Sequence, residues 1–151
     1  MIACFDIGGS AIKTAYAETP DHIVTLSREV TPLKSFDDFV SVLKAAIDGL
    51  PERPQRVAIS ITGVIDPETQ KITCANIPCI DGRRLADDLS ERHGLPVLIA
   101  NDADCFALAE AGLGAGRGHR VVLGANVGTG IGGGLVVDGP LINADGGFAG
   151  E

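Results

Sequence analysis

The sequence predicts an α/β layered fold, in which three extended segments come first and helix and strand then alternate. Three observations carry this. Apolar runs broken by glycine or polar turns open the chain. Segments with apolar residues on one helical face follow, each with start or stop signals. Short apolar runs stand between and after those helices.

Residues 2–7 (IACFDI) form the first strand, ending in Asp6 and then Gly8–Gly9–Ser10. Residues 12–17 and 23–30 supply two more, which together read as a β-meander. Ser35, with Asp38 three residues later, reads as the N-cap of a helix. Its apolar residues Phe36, Phe39, Val40, Leu43, Ile47 and Leu50 share one face, and Pro51 and Pro54 close it. Residues 56–61 form the next strand, ending at Thr62–Gly63, and a short strand lies around residues 71–75. A second helix over 83–93 stops at Gly94. A strand over 95–100 runs into Asn101–Asp102 and a third helix over 103–111.

Gly114, Gly116 and Gly118 then mark a linker, which divides the chain into residues 1–118 and 119–151. Beyond it, residues 121–127, a glycine turn and residues 135–137 form a second hairpin.

With 151 residues, the chain has the size of one compact domain, and 45% hydrophobic and 21% charged residues are ordinary for a globular one. The net charge of −8 argues against partners such as nucleic acid or an anionic membrane. Any phosphorylated ligand must be held locally, by backbone N–H groups and metal. Cys4, Cys74, Cys79 and Cys105 include no CxxC pair, so they read as free thiols, with no zinc cluster. The start lacks the basic region of a signal peptide, and the uncharged run over 121–137 holds too many glycines for a membrane-spanning helix. The expected compartment is cytoplasmic.

Three constellations carry chemistry. In the first, Asp6–Ile7–Gly8–Gly9–Ser10–Ala11–Ile12–Lys13, glycines let amides approach a phosphate and adopt positive φ. Asp6 is placed to hold a hydrated Mg2+, and Lys13 either neutralises phosphate charge or is a solvated hairpin residue. The plain alternative is a tight hairpin that favours Gly–Gly. The second, Gly128–Thr129–Gly130–Ile131–Gly132–Gly133–Gly134, satisfies G-x-G-x-x-G, but a strand rather than a helix follows, so the dinucleotide reading fails. Five glycines in seven residues cost unfolded-chain entropy, which signals close backbone approach to something. The third is Asn101–Asp102, at a strand's carboxyl end and a helix start, where a carboxylate is favoured in its ionised form and serves either as a cap or in catalysis. Two phosphate turns flanking one carboxylate suggest phosphoryl transfer.

DIGGSAIK, ANIP, NDADCFALAE, GTGIGGGLV and the final GE resemble, in order and spacing, the ROK family of bacterial sugar kinases and repressors. The resemblance covers the whole chain and about the first half of a family member. It implies a ribonuclease H-like fold of the actin/Hsp70/hexokinase kind, with a mixed β-sheet in residues 1–118 and the first β-hairpin of a second lobe in 119–151. It implies ATP-dependent phosphorylation of a sugar 6-hydroxyl with Asp102 as general base. Asn101, Gly63, Asn76 and Glu151 would contact the sugar. Asp6 would bind Mg2+, Gly8, Gly9, Ser10 and Lys13 the first phosphate turn's ligand, and Gly128, Thr129 and Gly130 the second. Ser10 stands where the family usually has Thr, a change that keeps the hydroxyl.

The family continues beyond the position of Glu151 with a Glu-x-Gly-His stretch and a structural Zn2+ cluster, so zinc is not expected in this chain, and the 151 residues alone are expected to be inactive or very weak. A full-length homodimer is expected. ANIP and NDADCFALAE are most similar to N-acetylglucosamine kinases, and QRVAISITGVI is similar to N-acetylmannosamine kinases. Two other classes remain: a sugar-sensing regulator of the same family, and a non-catalytic actin-like nucleotide-binding module.

Overall fold

A computed structural model describes residues 1–127, 131–147 and 150. Strand β1 (Ile2–Ile7) pairs antiparallel with β2 (Ala11–Thr19), which pairs antiparallel with β3 (His22–Val30). On its other side β1 runs parallel to β4 (Arg56–Ile61), and β4 parallel to β7 (Val97–Asn101). The sheet order is therefore β3-β2-β1-β4-β7.

Strand alternation sorts the side chains. Ala3, Phe5 and Ile7 of β1, with Val57, Ile59 and Ile61 of β4, are buried on one face. Helix α1 (Phe36–Asp48) lays Phe39, Val40 and Leu43 on that face, and α2 (Leu85–His93) adds Leu85 and Leu89 to the same cluster. Ser35 caps α1 as its sequence suggests, its hydroxyl accepting from the Asp38 amide at 3.1 Å. Gly94 ends α2 in the left-handed conformation, φ 63°, and donates to the Ser90 carbonyl at 2.9 Å. Asp6 and Ser60 point to the opposite face, where α3 (Asp102–Gly112) lies and Cys105 meets Ser60.

The strand expected around residues 71–75 is shorter, β6 (Ile72–Thr73), and has a partner the sequence did not reveal, β5 (Val64–Ile65). That hairpin closes through Asp66, whose Oδ1 accepts from the amides of Glu68 and Thr69. In the second hairpin, β8 (Val121–Val127) pairs with β9 (Ile131–Val137). The strand thus begins four residues earlier than the expected 135–137 and takes in the glycines at 132, 133 and 134.

The reason is packing. Gly124 and Gly134 are cross-strand partners, and both lie against α3. A Cβ on Gly134 would stand 2.8 Å from the Ala103 carbonyl oxygen and from Asp104 Cα, and one on Gly124 would stand 2.8 Å from Ala107 Cα. The approach that these two glycines permit is that of a helix. Residues 114–119 form successive turns: Gly114 and Gly116 both donate to the Glu110 carbonyl, and Ala115 donates to the Glu110 carboxylate. No helix among the described residues is long and apolar enough to cross a membrane.

Candidate active site

Parallel pairing brings the carboxyl ends of β1, β4 and β7 to one edge, where ligands of open α/β sheets gather. Register also sets a row of side chains across four strands, Arg28 opposite Lys13, Lys13 opposite Asp6, and Asp6 opposite Ser60. All four line a cavity of about 610 Å3, together with Gly8, Gly9, Ser10 and Asp102. The Lys13 ammonium donates to Asp6 at 2.8 Å, with both side chains more than half exposed. An ion pair this exposed is worth about 1 kcal/mol or less, so a phosphate can displace it. Arg28 has no ion-pair partner among the described residues.

The first glycine turn differs from its expected form. Neither Gly8 nor Gly9 has positive φ. The Gly8 amide closes the turn onto the Ala11 carbonyl at 3.0 Å, and its carbonyl accepts from the Thr31 hydroxyl at 2.7 Å. The Gly9 and Ser10 amides have no partner among the described residues, which leaves them for an anion. A Cβ on Gly9 would come within 3.2 Å of Asn76, whereas one on Gly8 would meet only the Ala11 carbonyl, at 4.0 Å. Nothing within the described chain demands glycine at position 8; the space it leaves adjoins the cavity.

At the third constellation, the cap is Asn101. Its Oδ1 accepts from the Ala103 and Asp104 amides at 2.9 and 3.2 Å, and its Nδ2 donates to the Gly63 carbonyl at 2.9 Å. Asp102 is then the first helical residue, released from the capping role, although its Oδ1 also accepts from the Ala103 amide at 2.9 Å. The helix start was expected to favour its ionised form. Instead burial, with the nearby negative charge of Asp6, outweighs the backbone hydrogen bonds and raises its pKa above the ordinary aspartate value.

A second cavity, of about 500 Å3, is lined by Gly63, Asn76, Asn101 and Asp102. Gly63 has φ 110°, and a Cβ there would lie 2.6 Å from the Thr73 carbonyl, so its identity is fixed by backbone packing. Asn76 reaches the Thr62 hydroxyl at 3.4 Å. Asp102 and Asn126 line both cavities. Gly128, Thr129, Gly130 and Glu151 lie outside the described residues.

Sequence reading missed Arg28, Ser60 and Asn126. Arg28 arrives by cross-strand register, which no local motif announces. Ser60 did carry a signal, as the one polar residue within an apolar strand interior, and Asn126 likewise interrupts an apolar run.

Among the described residues, no group of three or more His, Cys, Asp or Glu side chains is placed to hold a metal ion. Asp6 alone fits the way Mg2+ is usually held in phosphoryl-transfer sites, by one or two carboxylates with water and phosphate oxygens.

The ROK family profile matches residues 2–151. The chain is 38% identical over 149 residues to N-acetylgalactosamine kinase AgaK of Shewanella sp., covering 97% of this chain and 48% of that one. It is 40% identical over 158 residues to an N-acetyl-D-glucosamine kinase of Erwinia tasmaniensis, covering 100% and 51% respectively. It thus spans about half the length of the curated relatives it matches. A ROK family glucokinase from Streptomyces griseus, solved in complex with glucose and AMPPNP, superimposes with a TM-score of 0.84 at 31% identity, over 97% of this chain and 47% of that one. The mixed five-stranded sheet is accordingly that of the actin- and hexokinase-like ATPases. With the matched profile spanning nearly every residue, this chain belongs to the ROK family.

Proposed function

We propose that this chain carries the phosphate-donor and sugar-acceptor sites of an ATP-dependent sugar kinase that phosphorylates an N-acetylhexosamine at its 6-hydroxyl. The observation that supports it best is that two cavities, one flanked by a glycine turn and cations, the other by amide side chains, meet at Asp102. In this reading the triphosphate lies in the larger cavity against the Gly9 and Ser10 amides, with Lys13 and Arg28 facing its charge. The sugar lies in the smaller cavity, against Gly63, Asn76 and Asn101.

The Asp102 carboxylate accepts the proton of the 6-hydroxyl while that oxygen forms a bond to the γ-phosphorus; the β–γ bridging P–O bond breaks, and its electron pair leaves with ADP. A carboxylate whose pKa is raised is a stronger base for this proton than an ordinary aspartate. Asp6 would hold Mg2+, which when bound supplies positive charge to the phosphate oxygens. The kinase names of relatives at 38 and 40% identity support an amino-sugar substrate.

The test is a spectrophotometric ADP-release screen of the complete gene product across hexoses and N-acetylhexosamines, with the 151-residue chain assayed beside it. Turnover highest on an N-acetylhexosamine is expected. Preference for an unmodified hexose would overturn the substrate class, and no ADP release with any sugar would overturn the kinase reading.

A further inference from the structure

Asp102 shares the wall between the two cavities with one other described residue, Asn126. We propose that Asn126 is a second catalytic residue, whose side-chain amide donates a hydrogen bond to the phosphoryl group as it passes between the cavities; this rests on the kinase reading above.

Strand alternation gives Asn126 the face of Gly124, which lies against Ala107 of α3. Its cross-strand partner Gly132 sits next to the first turn of the same helix, where a Cβ would stand 3.5 Å from Ala103 Cβ. The hairpin thus presents Asn126 beside Asp102. Asn126 is exposed, and no hydrogen bond or ion pair within the described residues occupies its side chain. It is the one polar side chain of β8, a strand otherwise built of Val, Leu, Ala and Gly, and Asn is a poor strand former. A residue that disfavours its own strand, aimed at a cavity wall, is explained by what it would touch there.

The chemistry suits an amide. In phosphoryl transfer, charge is spread over the equatorial phosphate oxygens, and a fixed donor stabilises it. A lysine or arginine in this place would also draw the proton off Asp102 and weaken it as a base. A neutral donor leaves that base intact.

The experiment measures kcat and both KM values for Asn126→Ala and Asn126→Ser in the complete gene product, with ATP and the best sugar of the screen. Losing one such donor is expected to lower kcat by about 100-fold, with each KM kept within about threefold and the serine hydroxyl restoring part of the rate. A kcat within about threefold of wild type in both variants, or a loss confined to KM, overturns the proposal. A wild-type protein that releases no ADP with any sugar defeats the kinase reading instead, a distinct result. Because Asn126 is exposed, both variants should keep the wild-type thermal midpoint; if the alanine variant does not fold, the same thresholds are applied to the serine variant.

Discussion

The two glycine hairpins look alike in sequence and differ in what their missing side chains make room for. At Gly8 the space adjoins the larger cavity, and nothing of the described chain fills it. At Gly124 and Gly134 the space is filled by Ala103, Asp104 and Ala107 of α3. One hairpin is cut back toward an open cavity, the other toward a helix. The second also serves the site indirectly, because the helix turn that Gly134 touches directly follows Asp102. Glycine content alone therefore says that something comes close, and only the packing says what.

The largest effect should come from the group that the second hairpin supports. Asp102→Asn is expected to lower kcat by about 10²- to 10⁴-fold, the usual contribution of a general base. The same variant should be at least as stable as wild type at pH 7. A carboxyl group whose folded pKa is raised disfavours folding above that pKa and stops doing so once pH falls below the ordinary aspartate value. The two thermal midpoints should converge on acidification, and the acid limb of the wild-type rate should fall at a pH above that expected for an ordinary aspartate. A variant less stable than wild type at pH 7 would contradict the burial-driven shift.

Next in size is the contrast between the hairpins. Gly134→Val should cost about 1–3 kcal/mol in urea unfolding, because the new side chain meets helix backbone. Gly8→Ala should leave stability within about 0.5 kcal/mol or raise it slightly, since its φ is not positive, while weakening ATP binding. Equal losses of stability in both would erase the distinction between the two hairpins. Asn101→Ala should cost about 1 kcal/mol through the lost cap. Smallest, Arg28→Ala should raise KM for ATP a few-fold, an effect that shrinks with added salt.

Much of this was legible in the sequence, and the limits follow from physics. The Ser35 cap and Gly94 stop are local events, set by residues within one turn, and they stand where the sequence put them. The strand order β3-β2-β1-β4-β7 depends on pairings between distant segments, and so do the placing of Arg28 opposite Lys13 and of Ser60 opposite Asp6. Gly132, Gly133 and Gly134 read as turn because glycine is depleted from strands, a preference overruled at Gly134 by the closeness of α3. Asn101 and Asp102 could not be assigned separate roles from a dipeptide in which both residues are good caps; the hydrogen bonds of Asn101 separate them.

The bonding of Asn101 carries a consequence for substrate analogues. Its oxygen already takes two amide protons and one of its amide hydrogens is given to Gly63, so what remains for the proposed sugar is a single N–H. Toward a hydroxyl it can give and not take. Replacing that hydroxyl with fluorine, which still offers lone pairs, should therefore be tolerated far better than the same exchange at the 6-position, which would remove the proposed nucleophilic oxygen. A set of singly fluorinated sugars would thus map which ring carbon faces Asn101.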